Sequence, residues 1–259
     1  MGVLNVTPDS FSDGGRYLRF GYAVDHAQSM IEAGAAIIDV GGESTRPGAE
    51  GVSVEEQLRR VIPVVEHLAR LGRAVICVDT SSPEVMLAAA AAGATLINDV
   101  RGLQRPGALA AAAGSGCAVC VMHMQGEPLT MQHRPQYGDV VTEVKQYLHG
   151  RVVACEAAGI SRDRIVIDPG FGFGKTVAHN LALVRQLPDF VALRLPVLMG
   201  MSRKSTIAAI TGRPGENYLA GSVALAVAAV LRGAHIIRAH DVAETVDALR
   251  IAHAVQSGV

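Results

Sequence analysis

The feature that most constrains this chain is a regular alternation. Eight short runs rich in Val, Ile and Leu are separated by Ala-, Leu- and Glu-rich segments of helical period. The strand candidates are "GVLNVTP" (2–8), "AAIIDVGG" (35–42), "AVICVDT" (74–80), "ATLINDVRG" (94–102), "AVCVMHM" (118–124), "RIVIDPG" (164–170), "PVLMGMS" (196–202) and "HIIRAHD" (235–241). Apolar runs of this length suit strands covered on both faces, and their alternation with helices predicts a parallel sheet. Eight such units fit a closed (β/α)8 TIM barrel of the α/β class, with a doubly wound open sheet as the runner-up. The stretch "SVEEQLRRVIPVVEHLARLG" (53–72) reads as one of the helices, and Gly34, Gly72, Gly93 and Gly159 stand where helix C-caps are expected. No linker, repeat or low-complexity stretch divides the chain, so residues 1–259 are expected to form one domain.

Composition excludes several classes of partner. The formal net charge is −1 with no basic block, which argues against nucleic acid. The longest apolar runs, such as "SVALAVAAVL", are too short to span a bilayer, and no membrane partner is expected. No secretory leader is expected, and Val6 stands where a myristoylation signal needs Ser or Thr. Cys77, Cys117 and Cys120 lie in or beside apolar stretches, which suits a reducing, cytoplasmic location. Cys117 and Cys120 form a C-x-x-C, but no second Cys or His pair stands at zinc spacing, so both read as core residues.

In such a barrel the active site lies at the C-terminal ends of the strands. Those ends hold Asn5, Asp39, Asp79, Asn98, His123, Asp168, Ser202, and Arg238 with His240. Any one of them could be a helix cap or a satisfied hydrogen-bonding group. Eight ends together call for a polar ligand, because buried polar groups cost free energy unless paired. Asp79, Asn98 and Asp168 can accept from N–H groups and suit a flat heterocycle with a guanine-like edge. Arg238 and His240 are two apart and share one side of strand eight, where an Arg suits bidentate phosphate recognition. Lys204 follows "MGMS" at a helix start, where backbone N–H groups favour anions. The residues alone therefore point to a heterocycle carrying phosphate.

The motifs "VLNVTPDSFSDGG", "DVGGESTRPGA", "DPGFGFGK", "GMSRKS" and "RAHDV", with "INDV" and "MHMQG" in order between them, resemble the dihydropteroate synthases of folate biosynthesis, a pterin-binding barrel family. The likeness runs from Gly2 to about Asp241. It implies that the amine of p-aminobenzoate displaces pyrophosphate from 6-hydroxymethyl-7,8-dihydropterin pyrophosphate, giving 7,8-dihydropteroate. It implies Asp79, Asn98, Asp168 and Lys204 on the pterin, with Met122 and Gly200 beside the ring. It places Asn5, Thr45, Arg238 and His240 on the pyrophosphate, with Mg2+ as cofactor at Asn5. Phe11, Thr45, Arg46, Pro47, Phe173 and Ser205 would form the aminobenzoate pocket, where sulfonamides would compete. Asp9, Asp79 and Lys204 are the expected catalytic groups, although Asp9 beside Pro8 also reads as a turn former. The resemblance further implies a homodimer built on the last helices, around "LAGSVALAVAAVLRGA". A pterin-dependent methyltransferase of the same barrel family and a non-catalytic pterin binder are the alternatives; "STRPG" and "SRKS" favour the synthase over the methyltransferase.

One stretch, "DPGFGFGKT" (168–176), superficially matches a nucleotide phosphate loop. That loop needs Gly five positions before its Gly-Lys pair, and here Pro169 stands there, without an N–H. The glycines are instead expected to turn the backbone sharply beside a ligand, with Phe173 as an apolar wall and Lys175 as a solvated residue near a helix start.

Overall fold

The structure is a computed structural model. It describes residues 1–6, 16–44, 51–127, 130–213 and 218–258, and the backbone alone of residues 16–19. Strands and helices follow one another as β1 (Gly2–Asn5), α1 (Arg16–Glu32), β2 (Ile37–Gly41), α2 (Val54–Leu71), β3 (Val75–Asp79), α3 (Pro83–Ala91), β4 (Leu96–Asp99), α4 (Ala108–Ser115), β5 (Ala118–Met122) and α5 (Val140–Ala157). Then come β6 (Ile165–Asp168), α6 (Val177–Arg185), α7 (Leu187–Val191), β7 (Leu198–Met199), α8 (Ser205–Thr211), α9 (Leu219–Val230), β8 (Ile236–Ile237) and α10 (Val242–Ser257).

All strand pairs are parallel, in the order β1 to β6, with β7 paired to β8. Single parallel bridges from Ile167 to Val197 and from Gly2 to Ala239 join the two sheets and close the ring. The architecture is therefore the closed (β/α)8 barrel, not the open sheet. The ladders are shorter than the apolar runs: β7 and β8 keep two residues each, at 198–199 and 236–237. They stop where polar side chains and glycines turn toward the barrel mouth. Helix α2 shows how locally the elements are written. Ser53 Oγ accepts the Glu56 N–H at its start, and Gly72 ends it at φ 62°.

The strands place their residues by period two. Leu4, Ile38, Val40, Ile76, Val78, Ile97, Val119, Val121, Ile165, Ile167, Val197, Met199 and Ile237 all pack into one large cluster with the surrounding helices. The alternate positions face the barrel interior. At the bottom, Cys120, Val166 and Leu198 form a small separate cluster with Met1 and Ile236. At the top the same alternation delivers Asp79, Asn98, Met122, Asp168, Gly200 and Arg238.

All four cysteines are buried free thiols. Cys117 Sγ lies 3.2 Å from the Ala94 carbonyl. Among the described residues, no His, Cys, Asp and Glu side chains gather as a metal cluster, and no helix is long and apolar enough to cross a membrane.

Candidate active site

The register of the sheet assembles the mouth. Asn5 lies beside Gly41, Gly41 beside Asp79, Asp79 beside Asn98, and further round Met122 lies beside Asp168. Asp79, Asn98, Met122 and Asp168 are all buried. Gly200 follows β7, where an added Cβ would stand 3.7 Å from Arg238 Cβ. Register thus gives two neighbouring pairs, Asp79 with Asn98 and Met122 with Asp168, offset by two residues because Asn98 is level with Cys120. Lys204 joins the expected pterin set from the start of α8.

Arg238 does not project freely toward a phosphate. Its Nε donates to Asp39 Oδ2 at 2.6 Å and its Nη2 to Asp79 Oδ2 at 2.9 Å. Asn98 Nδ2 lies 3.4 Å from the same Asp39 oxygen. Asp39 Oδ1 is buried without a hydrogen-bond partner. Burial and the neighbouring Asp39 charge push the Asp79 carboxyl up to about 7, with Arg238 pulling the other way. Burial alone would lower the Arg238 guanidinium; Asp39 and Asp79 outweigh it and raise the group further. Sequence reasoning counts Asp39 among the polar strand ends but assigns it no ligand contact and no partner. The available signal was its position between Ile38 and Val40, which face outward and so turn it inside.

Asp168 Oδ1 accepts the Gly170 N–H at 2.7 Å, which fixes the turn after β6. Burial raises its carboxyl; the Gly170 N–H and then the cations Lys204, Lys175 and Arg238 oppose the rise. Lys204 precedes α8. Its Nζ donates to the Phe171 carbonyl and lies 4.3 Å from the Phe173 ring centre, a cation–π contact. Burial holds this ammonium down at about 7 against the pull of Asp168. Lys204 thus links the expected pterin and aminobenzoate ends of the site through Phe173. Ser205 opens α8 and is exposed.

The motifs "GMSRKS" and "RAHDV" interlock. Ser202 Oγ accepts the His240 N–H at 3.2 Å and lies 3.1 Å from His240 Nδ1, and Arg203 Nε donates to Asp241 Oδ2 at 3.1 Å. His240 therefore stands at the mouth with its orientation set by Ser202, in the segment after β7. Asn5 ends β1 half-buried. Asp9, Phe11, Thr45, Arg46 and Pro47 lie outside the described residues.

Lys175 is not solvated. Only 3% of it is exposed. Its Nζ donates to the carbonyls of Gly170 at 2.9 Å, Phe173 at 3.0 Å and His123 at 3.4 Å, and meets His123 Nδ1 at 2.9 Å. The glycine turns cause this burial. Gly170 has φ 71° and an added Cβ there would fall 1.8 Å from the His123 carbonyl oxygen, so the loop lies flat against the segment after β5. The path returns Lys175 underneath itself. A nucleotide loop turns N–H groups onto an anion; this one turns carbonyls onto a cation. Burial draws the ammonium down to about 7, against the field of Asp168. Burial and Lys175 together hold His123 neutral, at about 3.

A parallel barrel whose strand ends carry buried carboxylates, an amide and a neighbouring lysine defines a small-molecule site of the barrel-enzyme type. The chain belongs to the pterin binding enzyme family, whose model matches residues 1–240. The dihydropteroate synthase of Escherichia coli (strain K12) is 56% identical over 257 residues, covering 99% of this chain and 91% of that one. The crystal structure of the Yersinia pestis dihydropteroate synthase with a sulfonamide drug complex superposes with a TM-score of 0.94 at 52% identity, covering 99% of this chain and 94% of that one. The Xanthomonas albilineans dihydropteroate synthase with 4-aminobenzoic acid gives a TM-score of 0.94 at 52% identity, covering 99% of this chain and 92% of that one.

Proposed function

We propose that this protein is a transferase of folate biosynthesis. It condenses 6-hydroxymethyl-7,8-dihydropterin pyrophosphate with p-aminobenzoate, giving 7,8-dihydropteroate and pyrophosphate. The observation that carries the reading is the set of buried Asp79, Asn98 and Asp168 at the strand ends, with Met122 beside Asp168 and Lys204 acting on that carboxylate. Two carboxylates and an amide accept the N–H groups of the pterin edge; Lys204 donates to its other polar atoms. Met122 and the backbone at Gly200 flank the ring.

Asn5, Thr45, Arg238 and His240 hold the pyrophosphate. Asn5 supplies one hard oxygen donor, which suits Mg2+, an ion that completes its shell with phosphate oxygens and water. When bound there, Mg2+ neutralises charge on the leaving group. Arg238 does the same from the protein side. An aniline is a weak nucleophile, so easy departure of pyrophosphate matters most and the path is SN1-like. Asp9 stabilises the resulting cation. Phe173 and Ser205, with Phe11 and Thr45–Pro47, take the aminobenzoate, where sulfonamides compete; the sulfonamide complex of the Yersinia pestis enzyme supports this. A homodimer across the last helices is supported by α9, an apolar helix that keeps Val223 and Val227 half-exposed, and by Ile251 and Val255, which are exposed on α10. The setting is the cytoplasm.

The test is incubation with Mg2+, the pterin pyrophosphate and p-aminobenzoate. Dihydropteroate should accumulate with release of pyrophosphate. Tight pterin binding without product would replace this reading with that of a non-catalytic binder.

A further inference from the structure

Arg238 carries its charge in a divided arrangement. Its Nε and Nη2 form one edge of the guanidinium, the edge that can grip both oxygens of a single carboxylate. Here that edge is split, with Nε on Asp39 at 2.6 Å and Nη2 on Asp79 at 2.9 Å. Asp39 is fully buried in the middle of β2, and its second oxygen, Oδ1, has no partner. Buried acceptors are nearly always satisfied, so an orphaned carboxylate oxygen needs a reason. The thiol of Cys77, beside Asp39 on β3, is a weak donor to this carboxylate; Oδ1 is also the acceptor that a fork-to-fork pair with Arg238 would use.

The proposed reaction demands such a move. Asp79 has to receive N–H groups of the pterin, and it cannot do so fully while Arg238 Nη2 occupies its Oδ2. We propose that Asp39 is a positioning residue, the resident counter-ion onto which Arg238 closes with both nitrogens when the ligand takes Asp79. The exchange conserves hydrogen bonds. Arg238 keeps two, Asp39 loses its orphan, and Asp79 trades the arginine for the ligand. Asn98, which reaches Asp39 Oδ2 at 3.4 Å, stays beside the pair. The inference rests on the pterin reading of Asp79. It adds that ligand entry is linked to a shift of Arg238, and that Asp39 keeps this half-buried arginine from being left as an unpaired charge.

Asp39→Asn separates this from a structural role. The amide has the same shape and can still accept from Arg238 Nε, but it cannot replace Asp79 as a counter-charge. A bare pterin that removes Asp79 from Arg238 then leaves the cation uncompensated. A pterin pyrophosphate brings its own anion. By calorimetry, 6-hydroxymethylpterin should bind at least tenfold more weakly to Asp39→Asn than to the parent. The pyrophosphate ester should lose no more than about threefold. Equal losses for the two ligands, or no loss for either, would overturn the proposal. If the variant does not fold, a crystal structure of the parent with 6-hydroxymethylpterin decides it. Arg238 Nη2 should lie within hydrogen-bond reach of Asp39 Oδ1; Nη2 still on Asp79 would overturn it. Failure of the condensation itself would show as absence of dihydropteroate from the parent, whatever the ratio of the two affinities.

Discussion

Arg238 and Lys175 are both cations at the barrel mouth, the first half-buried and the second almost wholly buried, and they are held in opposite ways. Arg238 is held by carboxylates, Asp39 and Asp79. Lys175 is held by backbone carbonyls and an imidazole, with Asp168 acting only through its field. Carboxylates are partners that a ligand can take over. Carbonyls of a closed loop are not, because they are already committed by the backbone path. The first cation belongs to a site that changes on binding, the second to the scaffold that shapes it.

The largest expected effect comes from Arg238→Ala. It leaves two buried carboxylates facing one another without a cation, and loss of one partner of a buried ion pair costs about 3–5 kcal/mol. Denaturant unfolding should show that loss, and turnover should fall more than about 100-fold, as for removal of a preorganised charge at the leaving group. Arg238→Lys should not restore turnover, since an ammonium cannot span Asp39 and Asp79 as a planar fork does. Unchanged stability in the alanine variant would show that the pair is not held in solution.

Next is Asp168→Asn. The amide oxygen can keep the Gly170 N–H, so the turn survives and the ligand contact is isolated. Pterin binding measured by calorimetry should weaken by about 2–4 kcal/mol, the cost of giving a buried N–H a donor in place of a charged acceptor. Affinity equal to that of the parent would remove Asp168 from the site.

Lys175→Met should act mainly on stability. Two buried carbonyls, of Gly170 and Phe173, lose their donor, at about 1–3 kcal/mol for each group left unpaired. Relief of the buried ammonium offsets part of this. The pH dependence identifies the group. The folded pKa of Lys175 is lowered from 10.5 to about 7, so between those values the unfolded chain holds the proton and the folded protein has released it. Stability therefore rises with pH across that window, by at most about 1.4 kcal/mol per pH unit for one proton, and the penalty returns as pH falls toward 7. Lys204 titrates in the same sense, so the variant should show a shallower rise than the parent between pH 7 and 9, not a flat line. Parallel curves would mean that Lys175 does not titrate there.

The smallest effect expected is none at all. ATP should give no saturable heat with the parent protein, because Pro169 replaces the needed glycine and the loop offers carbonyls to a cation. Binding that disappears in Lys175→Met would reverse this.

Much of this was written locally. The alternation of apolar runs and helical segments narrows the fold to a parallel α/β sheet covered on both faces; the bridges of Gly2 to Ala239 and Ile167 to Val197 decide for the closed barrel over the open sheet. The same period sorts Asp79, Asn98, Asp168 and Arg238 to the inside once the neighbours are known to face out. What was not legible was pairing across the barrel. Arg238 and Asp39 are 199 residues apart, and nothing in either run states that they meet. Lys175 was misread for a related reason: a lysine after a glycine turn is usually solvated, and only the contact of Gly170 with the His123 carbonyl reveals that the loop folds back over it. By itself, then, the sequence determined which residues face the barrel interior and in what order, since strand alternation and helix caps depend on neighbours a few positions away. The tertiary structure alone decided which of those charges share a partner, because closing a ring of strands brings together groups whose separation along the chain carries no information about their distance.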